Sequence, residues 1–248
     1  MPLSPSQPTD QSVGRFIHAF TASGIIVGML ALIAVLDGSP RSAVLLLILA
    51  QLIDGIDGPL ARRYDIAAAM PRYDGEVLDL VIDYVTCVLV PATFAWQFHV
   101  LPHNVAGEIT VALMLTTSAL WFSRTDMMTS DHWFRGFPGV WNLIVPTLWL
   151  LHAPGEITVM ALVGLSVLSM SDVEFAHPVQ VVQRRRATIS VTALWIVTIV
   201  VLTVLDAPNP TVFMVAILLL GPVWNGGLTI SRIVEARSTP VVARSVDD

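Results

Sequence analysis

Eight apolar stretches, each close to the length of a helix that crosses a bilayer, follow one another along the chain with only short breaks between them. Crossing the hydrocarbon core takes about 20 mostly apolar residues. The stretches run approximately over 16–36, 43–62, 76–98, 108–123, 139–153, 156–171, 188–205 and 211–230. Turn-forming groups punctuate them: Asp37 to Pro40, Pro102 to Asn104, Pro154-Gly155 and Asp206 to Pro210. Lipid offers backbone groups no hydrogen-bond partner, so the pattern predicts an all-α, polytopic integral membrane helix bundle with about eight transmembrane helices. Hydrophobic residues make up 54% of the 248 and charged residues only 13%, which leaves no room for a sizeable soluble domain. The expected organisation is a disordered tail over 1–14, one membrane domain over 15–232 and a flexible tail over 233–248.

Charge orients the bundle. All 13 basic residues are Arg, and the net charge of -6 leaves no basic face for a nucleic-acid backbone. With eight spans, one face receives Arg15, Arg62, Arg63, Arg72, Arg124, Arg135, Arg184 to Arg186, Arg232, Arg237 and Arg244, and only Arg41 falls opposite. Cytoplasmic loops carry such an excess, so both termini are expected in the cytoplasm. The single cysteine, Cys87, lies in an apolar run, so neither a disulfide framework nor a Cys-ligated metal site is available.

The second stretch carries Asp54 and Asp57 and the third carries Asp79 and Asp83. A charge at membrane depth costs about 2.5 to 3.5 kcal/mol even on lenient scales, so these groups need partners. Residues three or four apart share a helix face, and two antiparallel helices joined by one loop aim all four carboxylates at one point. Such a cluster repels unless it is protonated or bridged by cations, and hard oxygen ligands suit Mg²⁺ or Mn²⁺. Four of them suit a two-metal site. Gly55, Gly58, Ala61 and Gly75 leave space around the cluster, either for a ligand or for close helix packing. Arg62 and Arg63 stand at its mouth, where phosphate pairing and the positive-inside bias are the two accounts.

The string Asp54-Gly55-Ile56-Asp57-Gly58-Pro59-Leu60-Ala61-Arg62, with Gly75, Asp79 and Asp83 after it, resembles the signature of CDP-alcohol phosphatidyltransferases. That signature reads D-x-x-D-G-x-x-A-R, a spacer, then G-x-x-x-D-x-x-x-D, and every position is filled. The spacer between Arg62 and Gly75 is long and is similar to that of the bacterial phosphatidylcholine synthase branch. The narrower resemblance extends to His18, Thr21 to Gly24, Leu78 to Val85, Gly136 to Pro138, Val140 to Asn142 and His177 to Val179, with departures at Gly139 and at Met170 to Val173.

The resemblance implies transfer of the phosphatidyl group from CDP-diacylglycerol to choline, giving phosphatidylcholine and CMP. By the same resemblance Asp54, Asp57, Asp79 and Asp83 are metal ligands for a divalent cation, Mn²⁺ or Mg²⁺, two per active site. Asp83 is then also the catalytic base, and Gly58, Ala61, Arg62 and Gly75 bind CDP-diacylglycerol. It further implies a homodimer in the bacterial cytoplasmic (inner) membrane, surrounded by membrane lipids, with the active site on the cytoplasmic side.

Choline is a quaternary ammonium that donates no hydrogen bond from nitrogen, so its recognition requires aromatic faces. Tyr84, Trp141 and Phe134 are the candidates, with Asp126, Asp131 and Glu174 as counter-charges, although aromatic residues also gather at bilayer interfaces for other reasons. His18 and His177 are further candidates for substrate contact. Two readings compete. The acceptor is instead serine, glycerol phosphate or inositol phosphate, for which Arg124, Arg135 and the Arg184 to Arg186 triplet are available. Alternatively, the chain is a cation-coupled transporter, whose expected acidic sites in both halves are missing from the second half.

Overall fold

Gly38 closes the first helix and Pro40 opens the second, in a computed structural model that describes residues 8–63, 73–205 and 211–238. Helix α1 (Pro8–Leu36) ends where Gly38 takes φ +71°. The Gly38 N–H donates to Val35 O at 3.1 Å and the Ser39 N–H to Ala34 O at 2.8 Å, which satisfies carbonyls that the helix end leaves open. Pro40 then starts α2 (Pro40–Arg63), at the position where its missing N–H costs nothing. The Asp74 carboxylate accepts from Glu76 N at 3.0 Å and Val77 N at 3.2 Å, and so fixes the start of α3 (Gly75–Gln97). Asn104 caps α4 (Val105–Phe122) in the same way. Helices α5 (Trp141–Leu150), α6 (Gly155–Ser169), α7 (Arg185–Leu205) and α8 (Val212–Ser238) follow.

The described residues thus form eight helices, in the order of the eight apolar stretches. Five of them, α1, α3, α4, α7 and α8, are long and apolar enough to cross a membrane, while α5 and α6 are shorter apolar helices. Helices α1 and α8 run past positions 15 and 232, the expected edges of the membrane domain, because extending an existing helix gains one hydrogen bond per residue fixed. Of the expected tails, 1–7 and 239–248 lie outside the described residues.

Helix α3 is central, packing on α1, α2, α4 and α5. Its ladder widens over Tyr84–Leu89 into π geometry, with the Val90 N–H reaching back to Val85 O. Pro91 supplies the reason: it has no N–H, and in a regular α-turn its ring would press on the carbonyl of Cys87. The core is apolar, with Leu47, Val88, Phe94, Leu162 and Ile199 fully enclosed. Buried hydroxyls of Thr86, Thr110, Thr147 and Thr203 donate to the carbonyl four residues back, the local partner a helix offers in an apolar setting. Indole N–H groups are matched across helices, Trp195 to Thr147 Oγ1 at 3.0 Å and Trp224 to Thr188 Oγ1 at 3.2 Å. A methyl group on Gly221 would meet the Trp195 ring at 2.3 Å, so glycine is what lets α7 and α8 approach.

One feature departs from a purely helical reading. Strands β1 (Trp133–Arg135) and β2 (Glu174–Ala176) pair antiparallel, with Phe134 opposite Phe175, and join the loop after α4 to the loop after α6. Strands of three residues are too short to show alternation in sequence. Arg232 of α8 pins the sheet, pairing with Glu174 at 2.6 Å and Asp131 at 2.8 Å while its guanidinium lies 5.0 Å over the Trp133 ring.

Candidate active site

Helices α2 and α3 bring the carboxylates of Asp54, Asp79 and Asp83 together, each offering an oxygen within 4.8 Å of the others. Asp79 and Asp83 share a face of α3 because they are one turn apart, and the Asp74 cap sets the register of that turn. All three are half-buried. Three carboxylates held this close repel one another unless positive charge lies between them, and the oxygen-only donor set fits a hard divalent cation. Asp57, Gly58, Ala61 and Arg62 lie on α2, and their side chains are outside the described residues.

The surroundings are unlike on the two sides. Gly75 abuts α1, where a side-chain carbon added to it would stand 3.3 Å from His18 Cε1. His18 Nε2 is buried with no hydrogen-bond partner among the described residues, and the His18 ring centroid is 6.0 Å from that of Tyr73. Beyond Asp83 the packing tightens, with Cys87 Sγ buried 3.8 Å from Asp83 Oδ1. Gln51, one turn before Asp54, donates from Nε2 to Asp54 Oδ2 at 2.9 Å, and the Asn142 amide donates in turn to Gln51. Gln51 was not among the residues read from the sequence, and Asn142 figured there only within the segment Val140 to Asn142, with no role given to it. Gln51 had a signal, being a polar group at i−3 from Asp54 on an apolar helix, whereas Asn142 is 91 residues away from Gln51.

Two of the three aromatic candidates, Tyr84 and Phe134, fall along one row of rings. Tyr84 sits edge-on to Phe122 at 6.3 Å and donates its hydroxyl to Leu115 O at 3.0 Å. Phe134 lies 5.6 Å from Trp121 and stacks on His177 at 4.9 Å, and Trp121 in turn touches Phe122, so Tyr84 and Phe134 are connected through a continuous row of rings. Trp141 is fully enclosed, packed on Phe137 at 4.8 Å with its N–H donating to Ser118 Oγ at 2.9 Å. The His177 ring accepts from Val179 N and Gln180 N through Nδ1, so it closes a turn. Gly139, one of the departures from the branch pattern, has φ +67°, where glycine is favoured over the larger side chain the resemblance leads one to expect.

The acidic counter-charge candidates each already have a cation. Asp126 pairs with Arg124 at 2.9 Å and Arg135 at 3.2 Å, Asp131 and Glu174 share Arg232, and Arg124 also reaches Asp172. The hydrogen bond from Arg124 is the main cause holding the Asp126 carboxyl at about 2, below its ordinary 3.8.

Residues 18–170, which contain both acidic helices, match the family described as CDP-alcohol phosphatidyltransferase. The chain belongs to that family. A protein of Pseudomonas aeruginosa named phosphatidylcholine synthase is 36% identical over 198 residues, covering 79% of this chain and 83% of its own. Proteins of the same name from Brucella melitensis and Mesorhizobium japonicum are 37% identical over 195 residues and 35% over 179, covering 77% and 72% of this chain and 70% and 66% of their own. Members of the family are divalent-cation-dependent phosphotransferases, so this chain is an enzyme, and membership sets the transporter reading aside. Among the described residues, one acidic cluster of three, Asp54, Asp79 and Asp83, has the spacing to hold a cation.

Proposed function

We propose that this membrane enzyme is a phosphatidylcholine synthase, transferring the phosphatidyl group of CDP-diacylglycerol to choline and releasing CMP. The convergence of Asp54, Asp79 and Asp83 on one point carries the chemistry, and relatives that share most of the chain's length carry the choice of acceptor. Asp57 completes the ligand set, and two divalent cations, Mn²⁺ or Mg²⁺, neutralise the transferring group and the departing phosphate when bound. Gly58, Ala61 and Gly75 leave room for the cytidine diphosphate, and Arg62 pairs with one of its phosphates. Asp83 accepts the proton of the choline hydroxyl as that oxygen bonds to the phosphatidyl phosphorus and the bond from phosphorus to the CMP oxygen breaks. Of the candidates Tyr84, Trp141 and Phe134, an aromatic face of Tyr84 or Phe134 receives the quaternary ammonium, because Trp141 is fully enclosed.

The relatives favour choline over an anionic acceptor, and two of the Arg residues available to an anion, Arg124 and Arg135, are already paired with Asp126. All eight helices belong to the membrane domain of residues 15–232, with both termini and the active site on the cytoplasmic side of the bacterial inner membrane, and two copies form a homodimer. The deciding experiment supplies purified protein in detergent with CDP-diacylglycerol and Mn²⁺ and offers choline, serine, glycerol phosphate and inositol phosphate separately, following CMP release. Phosphatidylcholine and CMP with choline alone are expected. CMP with a different acceptor overturns the choline assignment, and no CMP with any of them overturns the proposal.

A further inference from the structure

The Asp54 carboxylate is held by an amide that is itself held. Gln51 Nε2 donates to Asp54 Oδ2 on α2, and Asn142 Nδ2, from α5, donates to Gln51 Oε1. Asn142 is 1% exposed, and its Oδ1 is buried with no hydrogen-bond partner among the described residues. The direction of donation follows from charge. An ionised carboxylate only accepts, so Gln51 must turn its amino group to Asp54 and its carbonyl to α5, and Asn142 must answer with its own amino group. Turning the Asn142 amide over would set two carbonyl oxygens face to face. A buried acceptor left unpaired disfavours a fold, and this one is the cost of keeping the donor end committed to Gln51.

We propose that Gln51 and Asn142 are positioning residues for the divalent cation, fixing the rotamer of Asp54 so that the oxygen not engaged by Gln51 faces Asp79 and Asp83. The inference rests on the reading of that cluster as the cation site. Hydrogen-bonding partners of ligating groups typically contribute about ten- to a hundredfold to metal affinity. Helix α5, which packs on both α2 and α3, thereby acts on the site without supplying a ligand.

The test titrates Mn²⁺ into the full-length protein in detergent, without substrate, reading free Mn²⁺ by electron paramagnetic resonance and metal-free stability by thermal melting. Gln51→Met keeps the side-chain length and removes the amide, and is expected to weaken Mn²⁺ binding roughly ten- to a hundredfold. The double variant Gln51→Met/Asn142→Leu removes the orphaned oxygen with the relay. It is expected to melt, metal-free, at or above the wild-type temperature while binding Mn²⁺ as weakly as Gln51→Met, a combination that a purely structural role does not produce. Mn²⁺ affinity within twofold of wild type in Gln51→Met overturns the inference, as does loss of the metal-free fold in the double variant. Failure of the wild type itself to bind Mn²⁺ overturns the cation reading and the relay with it.

Discussion

His18 and Gly75 meet so closely that a methyl group on the glycine would stand 3.3 Å from His18 Cε1. The start of α3 therefore leans on α1 at the glycine proposed to admit the nucleotide. Gly75→Ala displaces the imidazole by a few tenths of an ångström and narrows that mouth. The KM for CDP-diacylglycerol is expected to rise roughly tenfold with kcat little changed, because a narrowed mouth weakens binding of ground and transition states alike. Gly164→Ala, where an added carbon meets nothing within 4 Å, is the control and should match wild type. Steady-state kinetics on both variants decide the matter, and an unchanged KM in Gly75→Ala removes Gly75 from the substrate site.

Asp83 is the last carboxylate of the cluster and lies at the end of the regular part of α3, before the π turn. If it takes the proton from choline, Asp83→Asn should lose turnover by about 10²- to 10⁴-fold while still binding CDP-diacylglycerol. Equilibrium binding of the lipid nucleotide and single-turnover CMP release separate the two effects. Normal turnover excludes Asp83 as the base.

Tyr84 offers a ring and a hydroxyl with different tasks. The hydroxyl is tied to Leu115 O at 3.0 Å, so Tyr84→Phe should cost about 1 kcal/mol of stability and leave the choline KM unchanged. Tyr84→Leu removes the aromatic face and should raise the choline KM roughly three- to thirtyfold. Equal choline KM values for the two variants, measured at saturating CDP-diacylglycerol, count against Tyr84 as a cage wall.

Asp126 gives a pH signature outside the membrane helices. Its carboxyl titrates at about 2 against an ordinary 3.8, so its clasp on Arg124 and Arg135 stabilises fully above the unfolded value and is lost as pH falls through the folded one. Asp126→Asn is therefore expected to melt below wild type by a margin that is constant between about pH 5 and pH 8 and shrinks below about pH 4. Melting curves across that range test it. A margin that widens on acidification contradicts the assignment.

The identity of the acidic helices was readable from spacing alone. Asp79 and Asp83 one turn apart on an apolar helix had to share a face, and Asp54 with Asp57 had to do the same, whatever lay around them. The turn at Gly38 and Pro40 was equally legible, because a helix stop and a helix start depend on a few adjacent residues. The β1–β2 pairing was not, since it joins Trp133 to Ala176 through registers that neither segment encodes separately. The pairing of Asp131 and Glu174 with Arg232 was hidden for a related reason: Arg232 lies far along the chain on α8.

By itself the sequence determined that this chain is a helical membrane protein with two pairs of carboxylates on consecutive helices, because apolar length and helical periodicity are local properties of the chain. Only the tertiary structure decided that Asp54 converges with Asp79 and Asp83, that Gln51 and Asn142 hold Asp54 in place, and that Tyr84 and Phe134 lie along one row of rings. Those relations depend on how helices distant in sequence rotate and approach one another, and that is set by the packing of the whole bundle.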